Sequence, residues 1–337
     1  MSGSTTIKDI ARAAQVAPST VSRALRADRR ISQRTTTLIL RLATEMGYTP
    51  SLAARHLVMQ RTNTVGLVIS SVSDLFVADV VIGVEQEARG QGYSVFLVSS
   101  YRDAALEAEA VRSLHERRTD GIIVTGSAID EGYLARSDVS AQPVVLINCP
   151  HYPYSISTDN LAGAWDAVIH LLELGHLRVA YLANPGSHQA NLARAEGCRA
   201  ALASRGLPVD PELTAAGDGT LSGGQEAARR LLALPRPPTA LFCFNDMTAI
   251  GALSALHEAG LRVPEDCSVV GFDDLELATY CHPPLTTVIQ DGELLGRQAM
   301  KMLLRLIRGD SDVSPELVPA KLVVRRTTGP APSQERG

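Results

Sequence analysis

The sequence predicts an α/β protein with a small all-α head: an N-terminal helix-turn-helix, then two subdomains that are each a doubly wound parallel sheet. Three observations predict it. Between Thr6 and Leu25 two short amphipathic patterns meet at a break, with a proline just beyond it. From Thr64 onward, short β-branched runs alternate with longer stretches of helical periodicity, as parallel strands covered by helices on both faces require. The alternating region, 62–328, is longer than one such sheet usually needs, so it divides in two.

In the head, Thr6 is a good N-cap and Asp9, three residues on, can reach back to complete a capping box. Ile7, Ile10, Ala11 and Ala14 fall on one helical face. Gln15-Val16-Ala17 breaks the pattern, and Pro18 opens the next helix where its missing N–H costs nothing. Val21, Ala24 and Leu25 form the buried side; Ser19, Thr20, Ser22 and Arg23 face outward. Ser32 starts a third helix that ends at Gly47, a natural C′ residue. A helical hairpin with a solvated face would explain the same spacing, so charge must decide. Residues 1–60 hold nine basic and three acidic residues, a net +6, whereas the remainder carries −10 within a total of −4. A basic head on an acidic body suits a reader of phosphate backbones.

Other classes find little support. The Walker phosphate loop, His-Glu-x-x-His, Gly-x-Ser-x-Gly and Gly-x-Gly-x-x-Gly are all missing from the sequence. His257-Glu258 has no second histidine, and Gly223-Gly224 reads as a turn rather than a phosphate cradle. The five cysteines are scattered without a Cys-x-x-Cys pair, which fits reduced thiols in a cytoplasm and argues against structural zinc. No apolar run has membrane-spanning length, and the residues after Met1 lack an apolar signal region. The expectation is a cytoplasmic protein that is no enzyme, with no cofactor and no metal.

Four stretches in order, Thr-Ile-Lys-Asp-Ile-Ala (6–11), Ser-Thr-Val-Ser-Arg-Ala-Leu (19–25), Gly-Tyr-Thr-Pro (47–50) and Ala-Ala-Arg-His-Leu (53–57), resemble the LacI/GalR family of bacterial repressors. Two residues depart from its pattern. Gln15 stands where the family turns on glycine, so a left-handed glutamine would be strained. Ala17 is a poor N-cap where the family has serine.

Further along, expected strands at 64–70, 93–99, 120–125 and 143–147 precede a second series at 178–183, 239–245 and 268–272. Expected helices cover 76–91, 159–174, 192–205, 246–259 and 292–308. The resemblance extends through Asp159-Asn160 with Gly163, Leu174-Gly175-His176, Arg194-Ala195-Glu196-Gly197, Phe244-Asn245-Asp246, Val270-Gly271-Phe272-Asp273-Asp274 and Pro284-Leu285-Thr286-Thr287-Val288. It implies a core similar to periplasmic sugar-binding proteins, hinged by three crossing segments. The implied division is a helix-turn-helix domain at 1–47, a hinge helix or linker at 48–61 and an effector-binding core at 62–328. Within the core, an N-subdomain takes about 62–160 and 290–320, and a C-subdomain about 161–289 and 321–328. The Gly/Pro/Ser-rich stretch 329–337 has no heptads and is expected to be a disordered tail.

The resemblance further implies a sequence-specific DNA-binding transcriptional regulator, a repressor, acting as a homodimer on a near-palindromic operator in double-stranded DNA. Arg23 is the expected base reader, because a guanidinium grips guanine bidentately. Pro18 and Ser19 open the recognition helix, where family members place their other base readers; Thr20 and Ser22 are expected on the phosphate backbone, and Thr6 is a further expected DNA contact. Ala54, Arg55 and Leu57 belong to the hinge segment, with Leu57 as the wedge between central base pairs. The effector is expected between the subdomains, at the carboxyl ends of the strands. Its expected contacts are Arg194, Asn245 and Asp273, with Leu75 and Phe76 as an apolar wall and Asp159 and Gln290 near the crossings. Donor-only Arg194, acceptor-only Asp273 and two-way Asn245 suit vicinal hydroxyls, hence a sugar or sugar derivative. Arg194 would also admit a carboxylate or phosphate. Asp246 and Asp274 are read as caps for the helices that follow them, and Trp165 as core packing. A purine-responsive or phosphocarrier-dependent regulator is the alternative within the family, and a solute-binding protein without DNA function the alternative class.

Overall fold

The computed structural model describes residues 5–25, 28–48, 61–127, 142–186 and 188–332. It divides into a head that ends at Thr62 and a core that begins at Asn63.

In the head, α1 (Ile7–Ala13), α2 (Pro18–Ala24) and α3 (Gln33–Glu45) pack round Ile10, Val21 and Ile39, all fully buried. The Thr6–Asp9 capping box is complete in both directions. Gln15 takes φ 53° to turn the chain, and Ala17 makes no side-chain cap bond, so both departures from the family pattern have the structural cost expected of them. Ser32 caps α3 by accepting from Thr35 N at 3.2 Å, and Gly47 follows its end at φ 63°.

The core's first sheet is six-stranded and entirely parallel, in the order β11-β5-β4-β3-β1-β2. Its strands are β1 (Thr64–Ile69), β2 (Ser94–Ser99), β3 (Gly121–Thr125), β4 (Val144–Ile147), β5 (Ser155–Thr158) and β11 (Glu316–Val318). Alternate strand residues feed two cores. Leu67, Ile69 and Ile123 meet α4 (Leu75–Gly90) and α11 (Gly292–Ile307), while Val68, Ile122 and Val124 meet α5 (Ala104–Glu116).

The second sheet runs β7-β6-β8-β9, again all parallel, with β6 (Val179–Ala183), β7 (Thr214–Ala216), β8 (Ala240–Cys243) and β9 (Ser268–Val270). The helices α6 (Asn160–Glu173) and α7 (His188–Ser204) cover one face, and α8 (Leu221–Leu232) and α9 (Asp246–Glu258) the other. A short α10 (Glu276–Tyr280) leads to β10 (Thr287–Ile289), which pairs antiparallel with β12 (Lys321–Val323) as a two-stranded ribbon.

Three expectations need correcting. Gly223-Gly224 is no turn: it lies inside α8, and Gly224 and Gly251 let α8 and α9 touch. A Cβ on Gly224 would stand 2.3 Å from Thr248 O, and one on Gly251 2.0 Å from Leu221 O. The helix expected at 192–205 begins at His188. The expected disordered tail is tied down at its start: Gly329 N donates to Ser268 Oγ at 3.1 Å, Gly329 O meets His176 Nε2 at 3.0 Å, and Ala331 N donates to Leu174 O at 2.8 Å. Residues 333–337 lie outside the described residues.

Candidate nucleic-acid interface and effector cleft

On α2, the buried residues Val21 and Ala24 hold the helix to the head, so the opposite face points outward. Pro18, Ser19 and Arg23 are exposed, and Thr20 and Ser22 are half-buried. The head's described ion pairs are Arg12–Asp9, Arg30–Asp28 and Arg41–Glu45, so Arg23 enters none of them. Thr6 is exposed, but its hydroxyl already donates to Asp9 Oδ2 at 2.6 Å. That bond holds the Asp9 carboxyl below its usual range. Ala54, Arg55 and Leu57 lie outside the described residues.

In the core, the carboxyl ends of the two sheets face one cavity of about 80 Å³. The first subdomain supplies Ser70, Phe76, Thr125 and Asn148; the second supplies Arg194, Phe244, Asn245 and Asp273, with Gln290 just beyond β10. Five of the seven expected effector residues therefore meet here. Leu75 and Asp159 do not line the cavity. Leu75 is 38% exposed at the first position of α4, and Asp159 caps α6 by accepting from Ala162 N at 3.0 Å.

Arg194 is the centre of the site and only 2% exposed. Its Nε donates to Asn160 Oδ1 at 2.8 Å, one terminal nitrogen to the Phe244 carbonyl, and the other to Gln290 Oε1 at 3.2 Å. The guanidinium lies 3.6 Å from the Phe272 ring centre and 4.6 Å from that of Phe244, with Asp273 Oδ1 at 3.9 Å. Three of its five N–H donors are thus spent inside the protein, and the Asp273 carboxyl faces the charge. Burial pushes the Asp273 carboxyl well above its usual range, and the Arg194 charge opposes that shift.

Asn245 is also committed. Its Oδ1 accepts from Thr248 N at 2.9 Å and Thr248 Oγ1 at 2.6 Å, while Nδ2 donates to Gly219 O at 3.1 Å. Asn245, not Asp246, is thus the cap of α9. Asp246 is buried and instead accepts from Leu275 N at 2.8 Å and from the Thr287 hydroxyl; burial pushes its carboxyl up to about 7. Nor does Asp274 cap α10; it pairs with Arg325 at 2.6 Å. Trp165 packs half-buried against the second subdomain's core, as expected, and away from the cavity.

Among the residues in or beside the site that escaped the sequence reading, four stand out. Asn148 follows β4, and Thr125 closes β3, so the strand-end rule that singled out Asn245 would have found both. The Thr125 hydroxyl is buried without a partner, a hydrogen-bonding atom left over at the cavity wall. Asn160 holds Arg194 from the start of α6. Arg102 reaches the cavity from the loop after β2, where nothing in the pattern marked it.

Comparison with known proteins places the two units. Residues 6–51 match the family described as bacterial regulatory proteins, lacI family, and residues 168–328 match a periplasmic binding protein-like domain. The HTH-type transcriptional repressor CytR of Escherichia coli (strain K12) is 34% identical over 331 residues, 97% of each chain. A lac repressor dimer bound to operator and the anti-inducer ONPF superposes with a TM-score of 0.89 at 30% identity, over 97% of this chain and 100% of that one. The transcriptional regulator CelR–cellobiose complex does so with a TM-score of 0.73 at 30% identity, over 96% and 99%. These proteins are DNA-binding regulators rather than enzymes. With a helix-turn-helix head, two parallel-sheet subdomains and relatives matched end to end, the chain belongs to the LacI family of effector-regulated, DNA-binding transcriptional regulators.

Proposed function

We propose that the chain is a cytoplasmic homodimeric repressor, whose operator affinity is set by an uncharged, polyhydroxylated effector held between the two subdomains. The observation that carries the DNA half is the exposed polar and basic face of α2 on a head of net positive charge. Arg23 reads a base, Pro18 offers an apolar contact, and Ser19, Thr20, Ser22 and Thr6 position the helix. Ala54 and Arg55 enter the minor groove beside Leu57, which wedges the central step.

Dimerisation is supported by apolar side chains at one margin of the core. β2 is an edge strand, paired with β1 on one side and with no strand on the other among the described residues; Phe96 is 49% and Leu97 43% exposed, and Ile82 on the adjacent α4 is 42% exposed. Two-fold pairing makes the operator near-palindromic. No helix among the described residues is long and apolar enough to cross a membrane.

For the effector, cavity charge is decisive. Among the described residues that line the cavity, Arg194 faces Asp273 at 3.9 Å and Arg102 pairs with Asp74 at 3.1 Å, so each cation has a carboxyl opposite it, which favours an uncharged ligand. Ring hydroxyls match the remaining donors and acceptors. A second reading, a ligand with a nucleobase, is favoured by Phe76 and Phe244, whose rings line the same cavity.

The test is selection of genomic fragments by the full chain, followed by binding titrations at several salt concentrations. A near-palindromic site should emerge, with affinity falling steeply with salt. Arg23→Ala should cost about 1–3 kcal/mol at one base position per half-site. Leu57→Ala should reduce the bend. Binding that ignores salt and sequence would refute the proposal.

A further inference from the structure

Away from the cleft, a cavity of about 270 Å³ lies beside α7 within the second subdomain and shares no lining residue with the effector cavity. Ala190 and Arg194 of α7 line the effector cavity, whereas Asn191, Ala195 and Cys198 line this one, so a single helix walls both. Its floor is β6, through Val179, Tyr181 and Ala183, and the segment 208–214 borders it with Pro208, Val209 and Leu213. The sheet register explains why space is left there. Tyr181 stands opposite Phe242 of β8 on one side and opposite Thr214 of β7 on the other. The Tyr181 and Phe242 rings stack, with centroids 5.4 Å apart and an interplanar angle of 22°. On its other side Tyr181 meets only Thr214, a short and exposed side chain. The aromatic row thus stops one strand early, and Tyr181 and Thr214 both line the cavity where a third ring would stand.

We propose that this cavity binds a small neutral aromatic molecule, of one or two fused rings with one hydroxyl or ring N–H, against the helix that carries Arg194. The size fits, since an apolar cavity of about 150 Å³ takes benzene. The ring completes the Phe242–Tyr181 row by stacking on Tyr181. Tyr181 is 4% exposed and its hydroxyl donates to Asn191 Oδ1 at 2.9 Å, which spends its proton and leaves its oxygen as an acceptor. The ligand's hydroxyl or N–H donates to that oxygen. Burial pushes the Cys198 thiol up to about 12 and raises the Tyr181 hydroxyl too, so both stay neutral near pH 7. Charges at the rim are matched: Arg199 pairs with Glu196, and Asp210 faces Arg178 at 3.5 Å. An anionic ligand therefore gains little there, and the exposed Leu177 and Val209 give the mouth an apolar rim. An alkyl alcohol of the same size fills the space but cannot stack.

The experiment is isothermal titration of the full chain with p-cresol and indole, and with cyclohexanol and benzoate as the alkyl and anionic controls. At least one of the two aromatics should saturate a single site per chain and bind at least about tenfold more tightly than either control. Thr214→Phe, which supplies the third ring from the chain itself, should weaken that binding at least about tenfold, while Thr214→Ser leaves it within about twofold. Both variants are first checked for a cooperative melting transition. On the wild-type chain, the bound aromatic should slow amide hydrogen exchange in α7 and in the segment 208–214, which locates the site without any substitution. Absence of saturable binding by both aromatics, controls that bind as tightly, an affinity unmoved by Thr214→Phe, or protection confined to other segments overturns the proposal. Neither the cleft nor the operator enters these measurements, so their failure leaves the proposed function as it stands.

Discussion

Arg194→Ala should destabilise the core rather than merely silence the effector. The substitution removes three donated hydrogen bonds, to Asn160, the Phe244 carbonyl and Gln290, together with the charge facing Asp273. It also empties the slot between the Phe244 and Phe272 rings. Breaking a buried pair by deleting one partner costs about 3–5 kcal/mol. At about 2 °C per kcal/mol for a unit of this size, the melting temperature should fall by about 6–10 °C. The loss should deepen with rising pH. Burial already raises the Asp273 carboxyl, and a carboxyl raised in the fold withdraws stability as pH climbs above its unfolded value. Without Arg194 the charge that opposes that trend is gone, leaving the hydrogen bond from Gln290 Nε2 at 3.1 Å. Differential scanning calorimetry of the wild type, Arg194→Ala and Arg194→Ala/Asp273→Asn reads this directly, the double variant regaining part of the loss. A single variant melting within about 2 °C of wild type would show that the guanidinium is not built into the core.

Gln15→Gly should stabilise the head by about 1 kcal/mol, since glycine takes the left-handed turn at φ 53° without a Cβ penalty; a lowered head transition would contradict this. Asp246→Asn should gain stability relative to wild type as pH rises from about 4 to about 7. The wild-type carboxyl is pushed up to about 7 and its ionisation opposes folding across that window, so paired urea titrations at both ends that give a constant difference would refute it. Gly251→Ala should cost at least about 1–3 kcal/mol, because its Cβ would overlap Leu221 O, a backbone atom that cannot swing away; an unchanged urea midpoint would be the contrary result.

The head was legible because its signals are local. Thr6 and Asp9, Pro18, Ser32 and Gly47 each act within a few residues, and the structure bears each out. The two parallel sheets were legible because strands buried on both faces appear as runs of β-branched residues. What escaped was set at a distance. Ser155–Thr158 has the serines and threonine of a loop, yet lies in the sheet's interior between β4 and β11. The helix beginning Leu221-Ser222-Gly223-Gly224 looked like a turn because Gly224 serves contact with α9 and Gly223 leaves room for Asp218, which composition cannot display. In the cleft, residue identity revealed chemical type but not occupancy. Arg194 and Asn245 looked like open donors, and only the structure reveals how many of their bonds are spent within the protein.

The discontinuity of the two subdomains has a consequence for the newborn chain. The first sheet lacks its outer strand until Glu316–Val318 is synthesised, and lacks the helix Gly292–Ile307 that covers one of its faces. The second is closed by still later residues: Thr327 bonds Val269 and Thr286, and Gly329 joins His176. The head contains all its own parts within the first few dozen residues and can fold as it leaves the ribosome. Neither half of the core can do so. The two halves must wait for the same C-terminal stretch and then close together, so translation order makes the DNA reader first and its control last. A chain cut short near its end would thus retain a folded head with no cleft to govern it.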